Sequence, residues 1–209
     1  MLRTFKNLSI YGSLIGAVLF GAFVTFYLQE FASDEIPKIA KERGISCPLN
    51  QPWLEVNLQH MTLSLFDGEV LLKRYNIGYG KHASGRLHER DGSTPLGEYT
   101  VLKKLKREDM ISRGSRFMVL DFPSPEDAER AMEVGEISDD EYNRIMRAHR
   151  VGELPPADTS LKGPLGIQGN FFPFQDRHFT DGSIALSNGD MNELFEHIPE
   201  GTRVVINFQ

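Results

Sequence analysis

Leu165-Gly166-Ile167-Gln168-Gly169 and, further on, Thr180-Asp181-Gly182-Ser183-Ile184-Ala185-Leu186-Ser187-Asn188 are the two stretches on which this sequence turns. Taken alone, each is a short apolar run beside glycines, and glycine-flanked turns are common. Their meaning depends on what surrounds them. Directly after the second stretch, Met191, Leu194, Phe195 and Ile198 recur at i, i+3, i+4 and i+7. That spacing predicts an amphipathic helix, with residues 188–190 expected to cap its start. Pro199-Glu200-Gly201 turns the chain, and Val204-Val205-Ile206 predicts a closing strand.

Upstream, the period is that of strands. Residues 53–66 alternate apolar and polar side chains, with Leu54, Val56 and Leu58 on one parity and Met61, Leu63 and Leu65 on the other. The switch near Gln59-His60 predicts a turn or bulge between two short strands, because a one-residue slip turns every side chain to the other face. Asp67-Gly68 marks a hairpin, with residues 70–77 as the return strand. Residues 82–93 read as a polar loop, Thr94-Pro95-Leu96-Gly97 as a turn, and residues 98–102 and 117–122 as further strands. The period then changes. Ser124-Pro125-Glu126-Asp127 offers a helix N-cap, a proline at the first helical position and acids in the first turn. Gly135 is placed to end that helix. Ser138 and Glu141 have capping-box spacing, and Tyr142, Ile145, Met146 and His149 follow on one face until Gly152 and Pro155-Pro156. These two helices read as an insert over about 123–152 that covers the sheet.

The chain's 209 residues are 40% hydrophobic and 25% charged, ordinary for a globular protein and enough for one domain with an appendage. The net charge is −6. The first 28 residues contribute Arg3 and Lys6 and no acid; the rest holds 21 basic against 29 acidic residues, a net of −8. An acidic body does not attract phosphate backbones, which argues against a nucleic-acid partner. Cys47 is the single cysteine, so neither an internal disulfide nor a Cys-based metal site can form. His82 and His88 share a loop without the spacing of a recognised site, so no metal or other cofactor is expected.

The appendage is the N-terminus. Between Leu8 and Leu28 the sequence LSIYGSLIGAVLFGAFVTFYL runs for 21 residues without a charge. At about 1.5 Å per residue that is long enough to cross a hydrocarbon core of about 30 Å. Tyr11 and Tyr27 lie near its ends, where amphipathic rings favour the interface. Arg3 and Lys6 precede it; Glu30, Asp34 and Glu35 follow it. The positive-inside rule then puts the N-terminus in the cytoplasm and the main body outside. The alternative is a cleaved signal peptide, whose apolar region would be about 7–15 residues before a small-residue site; here Glu30 spoils the site ending at Ala32. The expected organisation is a cytoplasmic tip (1–7), a transmembrane signal anchor (8–28), a tether (29–52) in which Ile36, Ile39 and Ala40 could form a helical turn, and an outer domain (53–209).

In this order the motifs resemble the L,D-transpeptidase (YkuD-type) catalytic domain family. Asp91-Gly92-Ser93-Thr94-Pro95-Leu96-Gly97-Glu98-Tyr99 is similar to the family's threonine-proline-x-glycine turn. The stretch at 165–169 stands at the place of its isoleucine-histidine-glycine strand, and that at 180–188 at the place of its Ser/Thr-x-Gly-Cys-Ile motif. The Gly201-Thr202-Arg203-Val204 ending, the early strand pair and the helical insert fit as well. The resemblance covers about residues 53–208. It implies a mainly β, β-sandwich-like fold with a helical insert, beside the one N-terminal transmembrane helix. It also implies a periplasmic or otherwise extracytoplasmic setting against peptidoglycan, and the apolar anchor independently agrees, giving a single-pass membrane protein with its domain on the outer side. The family's reaction is acyl transfer: a cysteine thiolate attacks a peptide-stem carbonyl, a histidine helps generate the thiolate, and an amine takes the acyl group.

By the resemblance, Gln168 stands at the histidine and Ser183 at the cysteine. A thiol, with a pKa near 8.5, yields thiolate readily beside an imidazole, whereas a serine hydroxyl depends on a positioned base. A glutamine amide donates and accepts hydrogen bonds but takes no proton at neutral pH. A nucleophile and its base act as a unit, so losing both removes the mechanism. Asp181 stands where the family has a histidine before the motif glycine, and Ala185 where it often has an arginine. The expectation is therefore a membrane-anchored pseudoenzyme that binds peptidoglycan stem peptides or an envelope protein partner. Gly169, Thr180, Asp181, Gly182 and Ser187 would shape its groove, with Phe171 and Phe172 as an apolar wall. Two alternatives stay open. One is a serine-dependent acyl transferase or hydrolase on stem peptides, with His178 or, more weakly, Lys162 as base. The other is a structural subunit of a membrane complex in which the groove is vestigial.

Overall fold

The alternation at residues 53–66 folds as two strands that share one buried face. In a computed structural model, which describes residues 15–21, 35–81, 92–106, 116–170 and 177–208, β1 (Pro52–Asn57) and β2 (Thr62–Asp67) pair antiparallel. Leu54 faces Leu65 and Val56 faces Leu63, and all four are 0% exposed. The parity switch thus has a physical reason: the turn between the strands reverses direction, and both apolar sets must end on the core side. β3 (Val70–Asn76) returns along β2 after the turn at Gly68, whose φ of 56° suits a residue without a side chain.

The C-terminal strand β10 (Arg203–Asn207) lies parallel to β1, with Leu54 opposite Val204 and Val56 opposite Ile206. On its other side runs β5 (Gly97–Lys106), ten residues long where sequence predicts five. The extra length matters. Residues 97–100 pair with β10, and residues 101–106 pair with β6 (Arg116–Leu120), with a bulge between Val101 and Lys103. One strand therefore serves both halves of the sheet. β7 (Gly166–Gln168) follows antiparallel to β6, and β9 (Ile184–Ala185) follows parallel to β7. The eight strands are ordered β3-β2-β1-β10-β5-β6-β7-β9, beside a two-stranded parallel pair of β4 (Tyr79–Gly80) and β8 (His178–Thr180). The fold is mainly β with helices, as expected. The expected sandwich is, in strand pairing, one continuous ladder, because β5 carries the hydrogen bonds across.

Helices cover it. α2 (Pro125–Glu133) and α3 (Asp139–Val151) both begin with complete capping boxes, Ser124 with Asp127 and Ser138 with Glu141. Gly152 ends α3 in the left-handed conformation. The Ser138 amide and side chain hold the Glu141 carboxyl down, to about 2, so it stays ionised as a helix-start acid. α2 is pinned to the sheet through Asp127, which accepts from the Tyr99 hydroxyl at 2.9 Å and from the Ser124 amide at 3.0 Å. α4 (Asn188–His197) buries Met191, Leu194 and Phe195, the stripe that its spacing predicts.

The chain divides into two compact units, residues 1–33 and residues 34–209. Residues 15–21 are helical. Among the described residues no helix is long and apolar enough to cross a membrane, and the remainder of the apolar run, 8–14 and 22–28, lies outside them, as do residues 29–34 of the tether and 82–91 of the polar loop. The later part of the expected tether is not a bare spacer. It carries α1 (Ile36–Glu42), with Ile36 and Ala40 at 0% exposure.

The tightest approach in the sheet is at Gly166. A Cβ there would lie 2.1 Å from the Met118 carbonyl oxygen and 2.7 Å from the Phe117 ring. The first is backbone of the adjacent strand and the second a buried ring, so neither yields as the tip of a flexible side chain would. Gly166→Ala should cost about 3 kcal/mol or more in chemical denaturation. Gly135→Ala, also a change at glycine but with open space around it at φ 75°, should cost only about 1–2 kcal/mol.

Candidate functional site

The stretches at 165–169 and 180–188 meet as neighbouring strands. Ile167 lies opposite Ile184 and Gln168 opposite Ala185 in the parallel β7–β9 pair. Alternation then sorts the side chains. Ile167 and Ile184, 0% and 1% exposed, point into the core. Gln168 and Ala185 share the other face, together with Gly166 and Ser183, which fall opposite one another at the start of the pair. The Gly166 amide donates to Ser183 Oγ at 3.4 Å. Leu186 N donates to the Gln168 carbonyl at 2.8 Å and extends the ladder. Gly78 and Ala185 exchange two further backbone hydrogen bonds of 2.8 Å each.

The turn before Ser183 is built from its own residues. Gly182 has φ 110°, a conformation that disfavours side chains. Thr180 Oγ1 accepts from the Gly182 amide at 3.3 Å and donates to the Ser183 carbonyl at 2.6 Å. The threonine-proline turn meets the same place. Thr94, fully buried, accepts from the Gly80 amide at 2.9 Å, and Lys81 N donates to the Gly92 carbonyl at 2.9 Å. A Cβ on Gly80 would lie 2.2 Å from the Gly92 oxygen and 3.1 Å from Gly182 Cα. Gly80 is therefore the point where β4, the residue 92–94 turn and the Gly182 turn close on one another.

The chemistry at this place is limited by what surrounds Ser183. Its Oγ hydrogen-bonds a backbone amide, not a base, among the described residues. Gln168 is 7% exposed and Ser183 half-buried, so the serine is reachable while the glutamine is mostly covered. His178 stands in β8, edge-on to the Tyr79 ring with centroids 4.7 Å apart. Burial holds the Tyr79 hydroxyl above its ordinary range, so the phenol stays neutral. Among the described residues no group of three or more His, Cys, Asp or Glu could hold a metal ion.

The family model for the L,D-transpeptidase catalytic domain, YkuD, matches residues 51–206, and with the turn, the strand and the serine loop converging as they do, that match settles the family. The chain belongs to the YkuD L,D-transpeptidase family. Among curated proteins none matches it. Among solved structures, the helical cell shape determining protein Pgp2 from Campylobacter jejuni is 15% identical with a TM-score of 0.52, covering 85% of this chain and 57% of that one. A single-site mutant of that protein gives 17%, 0.53, 77% and 49% respectively. Bd1075 from Bdellovibrio bacteriovorus is 15% identical with a TM-score of 0.51, covering 78% of this chain and 49% of that one. At these identities the likeness shows the fold. The chain spans about half the length of the structures it matches.

Within this family domain the expected groove residues divide. Gln168, Gly169, Thr180, Gly182 and Ser183 are brought together, all but Ser183 buried. Asp181 is exposed at the turn. Ser187 is the N-cap of α4: its Oγ accepts from Asp190 N at 3.1 Å and donates to Asp190 Oδ2 at 2.8 Å. Burial pushes the Asp190 carboxyl up, and the Ser187 hydroxyl works against that. Phe171 and Phe172 lie outside the described residues. Sequence reasoning missed Gly78, Gly80 and Tyr79. The signal available was the Gly78-Tyr79-Gly80 triplet after a strand, since paired glycines at a strand end mark close backbone approach.

If Ser187 serves as a cap, Ser187→Ala should cost about 1 kcal/mol and lower Tm by about 2–4 °C. Gly80→Ala should lower it further, because its Cβ meets backbone rather than a movable side chain.

Proposed function

We propose that this protein is a catalytically inactive member of its family that binds peptidoglycan stem peptides, or an envelope protein, through the groove between β7, β9 and the residue 92–94 turn. The observation that carries the reading is that Gln168 and Ser183 lie on one face of the β7–β9 pair, where the three motif segments meet. By motif position these are the family's base and nucleophile. An amide cannot take the proton that a serine must lose, and the partner of Ser183 Oγ is the Gly166 amide. Without a pair that would react, binding is the function this reading leaves to the site.

The same reading assigns the residue 8–28 segment to a membrane anchor, with the N-terminus cytoplasmic and residues 53–209 on the outer side. What supports it is the uncharged run, the Arg3 and Lys6 that precede it, and the exposure of Ile15, Val18, Leu19 and Phe20, at 60–69% each, along the helical residues 15–21. Large apolar side chains bared along one helix suit a lipid environment better than water.

Restoration tests the proposal. Gln168→His with Ser183→Cys should produce measurable acyl transfer on tetrapeptide-stem muropeptides, while the natural chain gives none. A natural chain that turns these substrates over, with the activity abolished by Ser183→Ala, would replace this reading with the serine enzyme, for which the half-exposed Ser183 is the one favourable observation. Intact-mass spectrometry after incubation separates the cases: the natural chain is expected to remain unmodified.

A further inference from the structure

We infer that α1 is a strap whose docking onto Glu193 holds α4 and through it the stretches that carry Gln168 and Ser183. The strap lies outside the family match, which begins at residue 51. Yet it is fastened to the middle of the domain. Glu193, on α4, has a side chain only 3% exposed. Its Oε1 accepts from the Glu35 amide at 2.6 Å and the Ile36 amide at 3.2 Å, both at the start of α1. Its Oε2 accepts from Lys73 Nζ at 2.8 Å and the Tyr75 hydroxyl at 3.0 Å, both on β3. Lys73 also bonds the Glu35 carboxylate at 2.7 Å. Three elements therefore converge on one buried carboxylate.

A carboxylate in such a place needs its donors, because a buried charge left without partners is strongly disfavoured. Two of the four come from α1. When α1 is docked, Glu193 is satisfied and Ile36 and Ala40 fill the core. When α1 leaves, both amides and both apolar side chains leave with it, and Glu193 must turn toward solvent or keep only β3. α4 cannot absorb that change in isolation. Its first turn starts at Ser187, directly after the Ser183 stretch. Its Asn188 Oδ1 accepts from the Asn170 amide at 2.9 Å, just past the Gln168-Gly169 end of β7. One helix thus clamps the ends of both motif stretches at one end and the strap at its middle. Burial works to lower the Lys73 ammonium, and Glu193 and Glu35 together hold it above its ordinary range, so the cation stays in place between them.

The inference does not depend on whether the groove binds or reacts. It makes the docked state of α1 a control on the groove, so anything that draws residues 35–42 away acts on the Gln168 and Ser183 stretches from a distance.

The test uses the full chain in detergent and compares Glu35→Pro with Glu35→Ala by amide hydrogen exchange and mass spectrometry. Both variants lose the exposed Glu35 carboxylate. Only the proline loses the amide that bonds Glu193. Glu35→Pro should raise exchange at least tenfold in residues 36–45, 187–194 and 166–170, with residues 98–102 and 117–120 within twofold of the natural chain. Glu35→Ala should stay within threefold throughout. Glu193→Gln, which keeps the shape and removes the charge, should follow the proline variant. Faster exchange in 36–45 alone would overturn the inference, as would a uniform rise across the domain or no rise at all.

Discussion

The parallel pairing of β7 with β9 is the constraint from which the site follows. It joins strands of three and two residues, far too short to hold one another. The pairing persists because each partner is fixed elsewhere. β7 is clamped to β6, where Gly166 lets the backbone reach the Met118 carbonyl. β9 is held by the double hydrogen bond to Gly78 and by α4, whose N-cap Ser187 lies two residues after it. The two core isoleucines, 167 and 184, then set the register, and a one-residue slip would drive Gln168 into the core and Ile167 onto the groove. The shared face of Gln168 and Ser183 depends on that register.

Much of the frame was legible in the sequence because its signals are local. The parity switch near Gln59-His60 located β1 and β2, and the two capping boxes located α2 and α3, since caps and alternation are set by neighbours along the chain. The rest was written in contacts that no local pattern carries. β4, β8 and β9 have two or three residues each and are too short to show a period. α1 read as a tether because a seven-residue helix gives few apolar repeats, with Ile36 and Ala40 buried and Ile39 partly buried against the core. Glu193 lies beside the apolar stripe of α4 and reads as a solvent-facing acid; its burial exists only because Lys73, Tyr75 and α1 arrive from far away in sequence. Ser187 shows the opposite case. A motif position suggests a groove residue, and in the structure the same side chain caps α4.

The site motifs were legible in another sense. Individually they are weak, but a turn, a strand and a glycine-serine loop in one order over the outer domain pointed to a single family, and the family match over residues 51–206 agrees. What order and spacing do not carry is activity. That depends on whether the groups around residues 168 and 183 can hold and move a proton, which family membership by itself leaves open.

The most direct measurement is a nuclear magnetic resonance titration of the isotope-labelled full chain in detergent with a soluble tetrapeptide-stem muropeptide, followed by intact mass. The account predicts saturable shifts confined to the amides around 78–80, 92–94, 166–170 and 180–188, with the mass of the protein unchanged. An added acyl mass on Ser183, or the absence of any shift at saturating ligand, would contradict it.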